Sequence, residues 1–491
     1  MTGVVEVSTG VLSPPDGHAW DLLVIGGGTA GIVAAKTAAG FGASVLLVER
    51  DRTGGDCLWT GCVPSKALLA AAHAAANARG AARFGVHVDG LRIDFGQVVA
   101  QVRAAMAAIE PADSASALRA AGVVVAHGTA TLTGPGTARV EQGAIRFRQC
   151  LLAAGTQPSM PPIPGVAEVG AWTSETIWDV PVLPDRLLVL GGGSIGCELG
   201  QGFARLGAEV TIVEAMPRLL PREDPDASAI ILDALVADGV CVRVGVSVTG
   251  VHTEESGTSA SLSDGTTVAF DQVLVAVGRT PRTVDLGLSA GGVATDARGY
   301  VRVDERLRTT NPRIWAAGDL TGHPQFTHLA GVHGSLAAGN AVLGLRRRAE
   351  VATIPRVTFT QPEVAAFGVD TERADAQPGL RVRTVHHSAV DRAVTEQDTC
   401  GFTRLVLDAK GRIVGATIVG PRAGESVAEL VLAARQGLRS RSIAGAMHPY
   451  PTYSDAVWTA AVDDVRAWLQ EPAPARVTSL LVAARRRWLS R

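Results

Sequence analysis

The chain is sparing with aromatic residues, cysteine and net charge, and each scarcity removes a class of protein. Aromatics are 4% of 491 residues and are not interleaved with basic side chains. With a net charge of −2 the chain carries no global basic field, so nucleic acid is not an expected partner. No uninterrupted apolar run reaches about 18 residues, the length a membrane-crossing helix needs, so no membrane partner is expected either. Met1 to His18 holds acids and prolines without a basic start followed by an apolar block. A signal peptide is therefore not expected, and a cytoplasmic location is. Six cysteines in this length are too few for a disulfide scaffold. Cys150, Cys197, Cys241 and Cys400 stand far apart and are expected to be buried as small hydrophobes. Only Cys57 and Cys62 are close in sequence.

What the chain has in plenty is glycine and apolar surface. It is 47% hydrophobic and 19% charged, enough for a large core spread over several domains. Its 56 glycines gather in short apolar runs, and two of these runs echo each other. Asp21-Leu22-Leu23-Val24-Ile25 leads into Gly26-Gly27-Gly28-Thr29-Ala30-Gly31, and Arg186-Leu187-Leu188-Val189-Leu190 leads into Gly191-Gly192-Gly193-Ser194-Ile195-Gly196. Each copy places Gly-x-Gly-x-x-Gly between a strand and a helix. A second strand then ends in an acid, Glu49 or Glu214, 23 residues beyond Gly26 or Gly191. The first glycine makes a tight turn, the second lets backbone approach a pyrophosphate, and the third lets helix and strand pack closely. The helix N-terminus favours the anion, and the acid accepts from a ribose hydroxyl. Two complete fingerprints predict two dinucleotide sites.

Between them lies Gly54-Gly55-Asp56-Cys57-Leu58-Trp59-Thr60-Gly61-Cys62-Val63-Pro64-Ser65-Lys66. A thiolate is the reactive form of cysteine, and Cys62 precedes a helix predicted to start around Pro64, whose dipole should lower its pKa. Lys66, four residues beyond Cys62, shares its helix face.

These stretches, with Ala316-Ala317-Gly318-Asp319 and a C-terminal α+β segment, resemble the FAD-dependent pyridine nucleotide–disulfide oxidoreductases. That family includes dihydrolipoamide dehydrogenase, glutathione reductase and mercuric reductase. The resemblance runs over roughly residues 19 to 468. It implies an α/β fold of two Rossmann-like dinucleotide-binding domains, for FAD and NAD(P), and a C-terminal α+β dimerisation domain. It also implies that Cys57 and Cys62 form a redox-active disulfide, with Cys62 against the flavin and Cys57 exchanging with substrate, and that Lys66 pairs with Glu198. FAD contacts fall on Gly26, Gly28, Gly31, Glu49, Gly55, Lys66, Gly128, Gly155, Thr156, Gly318 and Asp319. Those of the nicotinamide cofactor fall on Gly191, Gly193, Gly196, Glu214, Val248 and Gly278. No metal site is expected. A 2′-phosphate carries about −1.5 to −2 charge, and beside Glu214 at ~4 Å each unit pair costs about 4 kcal/mol at an effective dielectric of ~20. NADH is therefore favoured by on the order of a thousandfold, while Arg218, four residues on, works against that preference and leaves NADPH open.

The C-terminal signature departs from the family. In His448-Pro449-Tyr450-Pro451-Thr452-Tyr453-Ser454-Asp455, the family's catalytic histidine falls on Tyr450 and its glutamate on Asp455, with His448 two positions early. A tyrosine lies about 3.5 pKa units above a histidine, a handicap of roughly 5 kcal/mol for a base at neutral pH. Tyrosine at this position resembles the mercuric reductases, as do Pro221-Arg222-Glu223-Asp224-Pro225, Pro324-Gln325-Phe326 and Asp398-Thr399-Cys400-Gly401-Phe402. The mercuric reductases also carry a vicinal cysteine pair at the C-terminus, and here no cysteine follows Cys400. The expected partners are a small-molecule electron acceptor, left unassigned, and a second subunit in a homodimer that shares the active site. Dihydrolipoamide dehydrogenase, a quinone or oxygen reductase that does not need the disulfide, and a non-catalytic flavin-binding redox sensor stay open.

The expected boundaries are an N-terminal tail at 1–18, the first part of the FAD domain at 19–158, the NAD(P) domain at 159–280, a segment completing the FAD domain at 281–350, the dimerisation domain at 351–470 and a basic tail at 471–491. In that tail Val477, Leu480, Leu481, Ala484 and Trp488 recur at helical spacing beside Arg485, Arg486 and Arg487. A basic amphipathic helix of this kind suits a membrane surface. The expectation is the plainer one, a helix packed on its own protein or a frayed end.

Overall fold

The structure is a computed structural model that describes residues 13–141, 143–255 and 257–490. Most of the N-terminal tail expected over 1–18 lies outside the described residues. The chain packs as two units. The first comprises the described residues up to Gly192 with Leu199–Val213 and Val246–Ala349, and the second comprises Gly193–Glu198, Glu214–Gly245 and Glu350 onward.

The first unit starts as the glycine pattern predicts. Strand β1 (Trp20–Ile25) feeds helix α1 (Thr29–Gly40), and β2 (Val45–Glu49) lies parallel to β1 with Leu22 opposite Val45 and Ile25 opposite Val48. Strand Gly143–Leu152 pairs with the other side of β1, also in parallel, and strand Ile314–Ala316 pairs with it in turn. Val123–His127 extends the sheet beyond β2, and two antiparallel strands, Thr137–Val140 and Ala130–Gly134, complete its seven. The apolar run of β1 is buried on both faces, as parallel strands with covered faces require. Leu22 and Val24 pack with Ala34, Ala35 and Ala38 of α1. Leu23 and Ile25 pack with Leu132, Phe147 and Ile314. Leu22 is fully buried, and truncating such a side chain to alanine costs about 3 kcal/mol.

The second glycine pattern builds the same geometry. Strand Arg186–Leu190 lies between the parallel strands Glu209–Glu214 and Gln272–Val275, and helix Ser194–Leu206 follows its glycine turn. Its core joins Leu188, Leu190 and Val213 to Val248, Phe270 and Val275.

The second unit carries a five-stranded antiparallel sheet in the order Arg356–Thr358, Glu363–Gly368, Ile413–Gly420, Phe402–Leu407, Arg381–His386. Helices Ala423–Arg435 and Asp455–Leu469 cover it, and Val427, Leu430, Val457 and Ala461 pack with Phe367, Leu405 and Ile418. The α+β expectation for this part of the chain is met. Among the described residues no helix is long and apolar enough to cross a membrane.

Two local expectations change. Cys150 and Cys197 are buried, but Cys241 and Cys400 are exposed. Cys241 opens the strand Cys241–Val244 and Cys400 precedes Phe402–Leu407, so both sit where a strand begins rather than in its packed middle. The basic tail is not frayed: Pro472–Leu489 is a continuous helix with no buried residue.

Candidate active site

The two cysteines stand on consecutive helices. Cys57 lies in the short α2 (Gly55–Trp59), and Cys62 is the first residue of α3 (Cys62–Gly80), two positions earlier than the proline suggested. Gly61 caps α3 with no side-chain bond and its first turn holds no acid. The free N–H groups there favour an anion at Cys62. Cys62 is exposed, and its Sγ lies 3.2 Å from Thr327 Oγ1. Cys57 is half-buried, and its hydrogen bond to Cys62, followed by burial, pushes its thiol far above the ordinary range.

Glycines dock this cysteine-bearing segment on the first fingerprint. The Gly54 N–H donates to the Gly27 carbonyl at 2.9 Å. Gly55 has φ +57° and approaches so closely that a Cβ on it would lie 2.6 Å from Gly28 Cα. Gly26 turns with φ +107°, and a Cβ there would strike the Ala153 carbonyl oxygen at 2.4 Å. Gly31 is pressed on Gly26, where a Cβ would meet the Gly26 carbonyl oxygen at 1.9 Å. Glu49 accepts from the Gly27 N–H at 2.5 Å, and its own carbonyl takes the Gly128 N–H at 2.9 Å. The α1 N-terminus at Gly28 has neither a capping side chain nor an acid in its first turn.

Behind the cysteines runs a charged network. Arg279 pairs with Asp56, the residue before Cys57, and donates to Thr156 Oγ1 at 2.8 Å. Thr156 Oγ1 in turn donates to Asp319 at 3.1 Å. Arg282 bridges Asp56 at 3.4 Å and Glu175 at 2.7 Å. Burial raises the pKa of Asp319 and of Glu175. Gly155, at φ +67°, precedes Thr156, and Gly318, at φ +73°, precedes Asp319. The structure thus gathers Cys57, Cys62, Gly26, Gly28, Gly31, Glu49, Gly55, Gly128, Gly155, Thr156, Gly318 and Asp319 in one unit. Lys66 follows on α3 and donates to Ser65 Oγ at 3.3 Å. These residues fit FAD: a glycine cradle that side chains would fill, an open helix N-terminus for a pyrophosphate, and an acid for ribose.

The second fingerprint repeats the turn, with Gly191 at φ +105° and its N–H on the Val213 carbonyl at 2.8 Å. Gly193 accepts from the Cys197 N–H at 2.9 Å, and Gly196 lies within the helix that follows. Glu214 accepts from the Met216 N–H at 2.7 Å, as Glu49 accepts from the Asp51 N–H at 2.8 Å. Val248 is buried at the start of strand Val248–Glu254, and the Gly278 carbonyl accepts from the Ser159 N–H at 2.9 Å. Glu198 is buried and accepts from the Phe359 N–H at 2.9 Å.

In the second unit His448 finds a partner the motif did not suggest. Its Nε2 lies 3.0 Å from the Glu429 carboxylate, on helix Ala423–Arg435. The Tyr450 hydroxyl donates to Asp391, which raises the phenol pKa. Asp455 opens helix Asp455–Leu469, and burial followed by the charge of Asp391 raises its pKa. Thr327, Arg279, Glu429 and Asp391 were not singled out from the sequence. Each meets its partner across a long sequence separation that no local pattern marks.

Residues 20–334 match the pyridine nucleotide-disulphide oxidoreductase family, and residues 354–461 match the dimerisation domain of the same family. The chain belongs to that family. It is 38% identical over 459 residues to a mercuric reductase of Streptomyces lividans, spanning 90% of this chain and 95% of the relative. It is 33% identical over 449 residues to a dihydrolipoyl dehydrogenase of Chlamydia pneumoniae, spanning 89% and 95%. Among solved structures, LpdA of Mycobacterium tuberculosis superposes with a TM-score of 0.83 at 28% identity, covering 90% of this chain and 99% of LpdA. Membership makes the protein an NAD(P)H-dependent FAD disulfide oxidoreductase, and its C-terminal domain is a dimerisation domain.

Proposed function

We propose that this enzyme moves electrons from NADH to a disulfide formed by Cys57 and Cys62, and from Cys57 to a small-molecule acceptor in the cytoplasm. The observation that carries this is the placement of the thiol pair: Cys62 sits at the open N-terminus of α3 beside Thr327, and Cys57 stands on the short helix α2 just before it. Bound FAD would supply the two-electron link between the nicotinamide and the sulfurs. The residues of this chain do the rest. The glycines of both fingerprints, with Glu49, Glu214, Thr156, Asp319, Val248 and Gly278, hold the two dinucleotides. Lys66 sets a cation near the reactive end of the flavin site. Two electrons and one proton convert the disulfide to a Cys57 thiol and a Cys62 thiolate. Cys57 then gives its proton to His448 of the partner subunit and attacks the acceptor, and re-formation of the disulfide with Cys62 releases the reduced acceptor. His448 with Glu429, and Tyr450 with Asp391, are placed in the proton supply, acting in the homodimer on the other subunit's disulfide. Tyr450, its proton held by Asp391, serves as donor and not as base. The domain limits 19–158, 159–280, 281–350 and 351–470 belong to the same proposal.

Relatives of both activities support either a soft metal ion or a small disulfide as acceptor. The test is an acceptor panel of small disulfides, dihydrolipoamide with NAD⁺, quinones and Hg(II), run on the wild type and on Cys57→Ser. Loss of turnover in the variant supports the proposal. Full turnover in Cys57→Ser with quinones or oxygen would replace it with reduction directly at the flavin.

A further inference from the structure

We propose that the C-terminal helix Pro472–Leu489 docks the enzyme on an anionic bilayer surface. The helix begins beyond the family's matched dimerisation segment, which ends at residue 461. It is 18 residues long and none of them is buried. At about 100° per residue, Leu480, Ala484, Val477, Trp488 and Leu481 fall within an arc of about 100°. Leu480 is 71% exposed, Leu481 64% and Trp488 62%, a degree of exposure that a continuous apolar stripe does not hold in water without a partner.

Charge identifies the partner. Arg476 and Arg487 border the stripe on one side and Arg485 on the other, and no acid lies between Pro472 and Arg491. The Arg485 guanidinium stacks on the Trp488 ring at 4.1 Å. An apolar stripe edged by arginines, with a tryptophan at the border, matches the layering of a lipid surface. The leucines enter the acyl boundary, the indole sits at headgroup level, and the guanidinium groups stay with the phosphates. The helix is too charged to span a bilayer and lies along it. A second copy of the chain suits the face less well, because a two-fold contact through this stripe would set the arginines of one helix against the other helix, which has no acid to pair with them.

The test is sedimentation of the full-length holoenzyme with vesicles of phosphatidylcholine alone or with phosphatidylglycerol added. We expect binding to the phosphatidylglycerol vesicles, little to phosphatidylcholine alone, and release by salt as screening grows. Each arginine near such a surface is worth about fivefold, so R485Q/R487Q, which removes two of the bordering arginines, should lose about 25-fold in partitioning. L480E/L481E should not bind. All of these positions lie outside the redox site, so flavin content and NADH oxidation in solution serve as the control for folding. Absence of binding to phosphatidylglycerol vesicles at low salt would overturn the proposal. So would undiminished binding of L480E/L481E, or conversion of that variant from dimer to monomer, which would assign the stripe to a second copy.

Discussion

Gly55→Ala probes the contact that joins the cysteine segment to the flavin fingerprint. Gly55 sits at φ +57°, where an L-residue costs roughly 1–2 kcal/mol. The added Cβ would lie 2.6 Å from Gly28 Cα, against about 3.5–4.0 Å for carbon atoms in good contact. Gly28 must then retreat by about an ångström, and overpacking of this kind typically costs a further ~1–3 kcal/mol. The sum is about 2–5 kcal/mol. Part of it falls on the loop that cradles the dinucleotide, so FAD affinity should drop by about tenfold or more, at about 1.4 kcal/mol per tenfold. The assay is FAD dissociation by fluorescence, with urea unfolding of the holoenzyme beside it. Gly40→Ala is the matched control: Gly40 ends α1 with open space where its Cβ would go, so that change should be neutral or slightly stabilising. A Gly55→Ala enzyme with wild-type FAD affinity and an unchanged unfolding midpoint would refute the reasoning.

Other outcomes follow from the same geometry. Asp224 is 1% exposed and takes an Arg404 hydrogen bond at 2.7 Å, so Arg404→Leu leaves a buried charge unpaired and should destabilise by about 3 kcal/mol in urea titration. Burial lowers the pKa of His387 from 6.5 to about 4, so the folded state keeps it neutral while the unfolded chain takes up a proton below pH 6.5. That stability is fully present above pH 6.5 and is lost as the pH falls toward 4, up to about 3 kcal/mol, and His387→Gln should flatten this part of the pH–stability curve. Glu214 should hold kcat/KM for NADH on the order of a thousandfold above that for NADPH, and Glu214→Gln should narrow the gap in steady-state assays.

The architecture was legible because strand, glycine turn, helix and acid occur in a fixed order, and their spacing carries the chemistry of close backbone approach. Gly26 and Gly191 turn as that order requires, and Glu49 and Glu214 make the same local bond to an N–H two residues on. What escaped the sequence depends on distant partners. Cys62 meets Thr327 from 265 residues away, and Asp56 meets Arg279 from 223. The His448 motif pointed to Asp455, but Glu429 takes the imidazole from a neighbouring helix, since side-chain pairing follows the packing of helices and not motif spacing. Exposure of Cys241 and Cys400 was missed for a related reason: both lie at strand starts, where composition says little about burial.

The most direct test of the central claim is anaerobic titration of the oxidised enzyme with NADH, followed by isotope-coded alkylation of its cysteines. The account predicts that reduction consumes more NADH than the flavin alone accounts for. It also predicts that Cys57 and Cys62 change together from unreactive to alkylated, with the exposed Cys62 labelling first in the reduced enzyme. Titration that ends with the flavin, leaving both cysteines equally labelled before and after NADH, would contradict it.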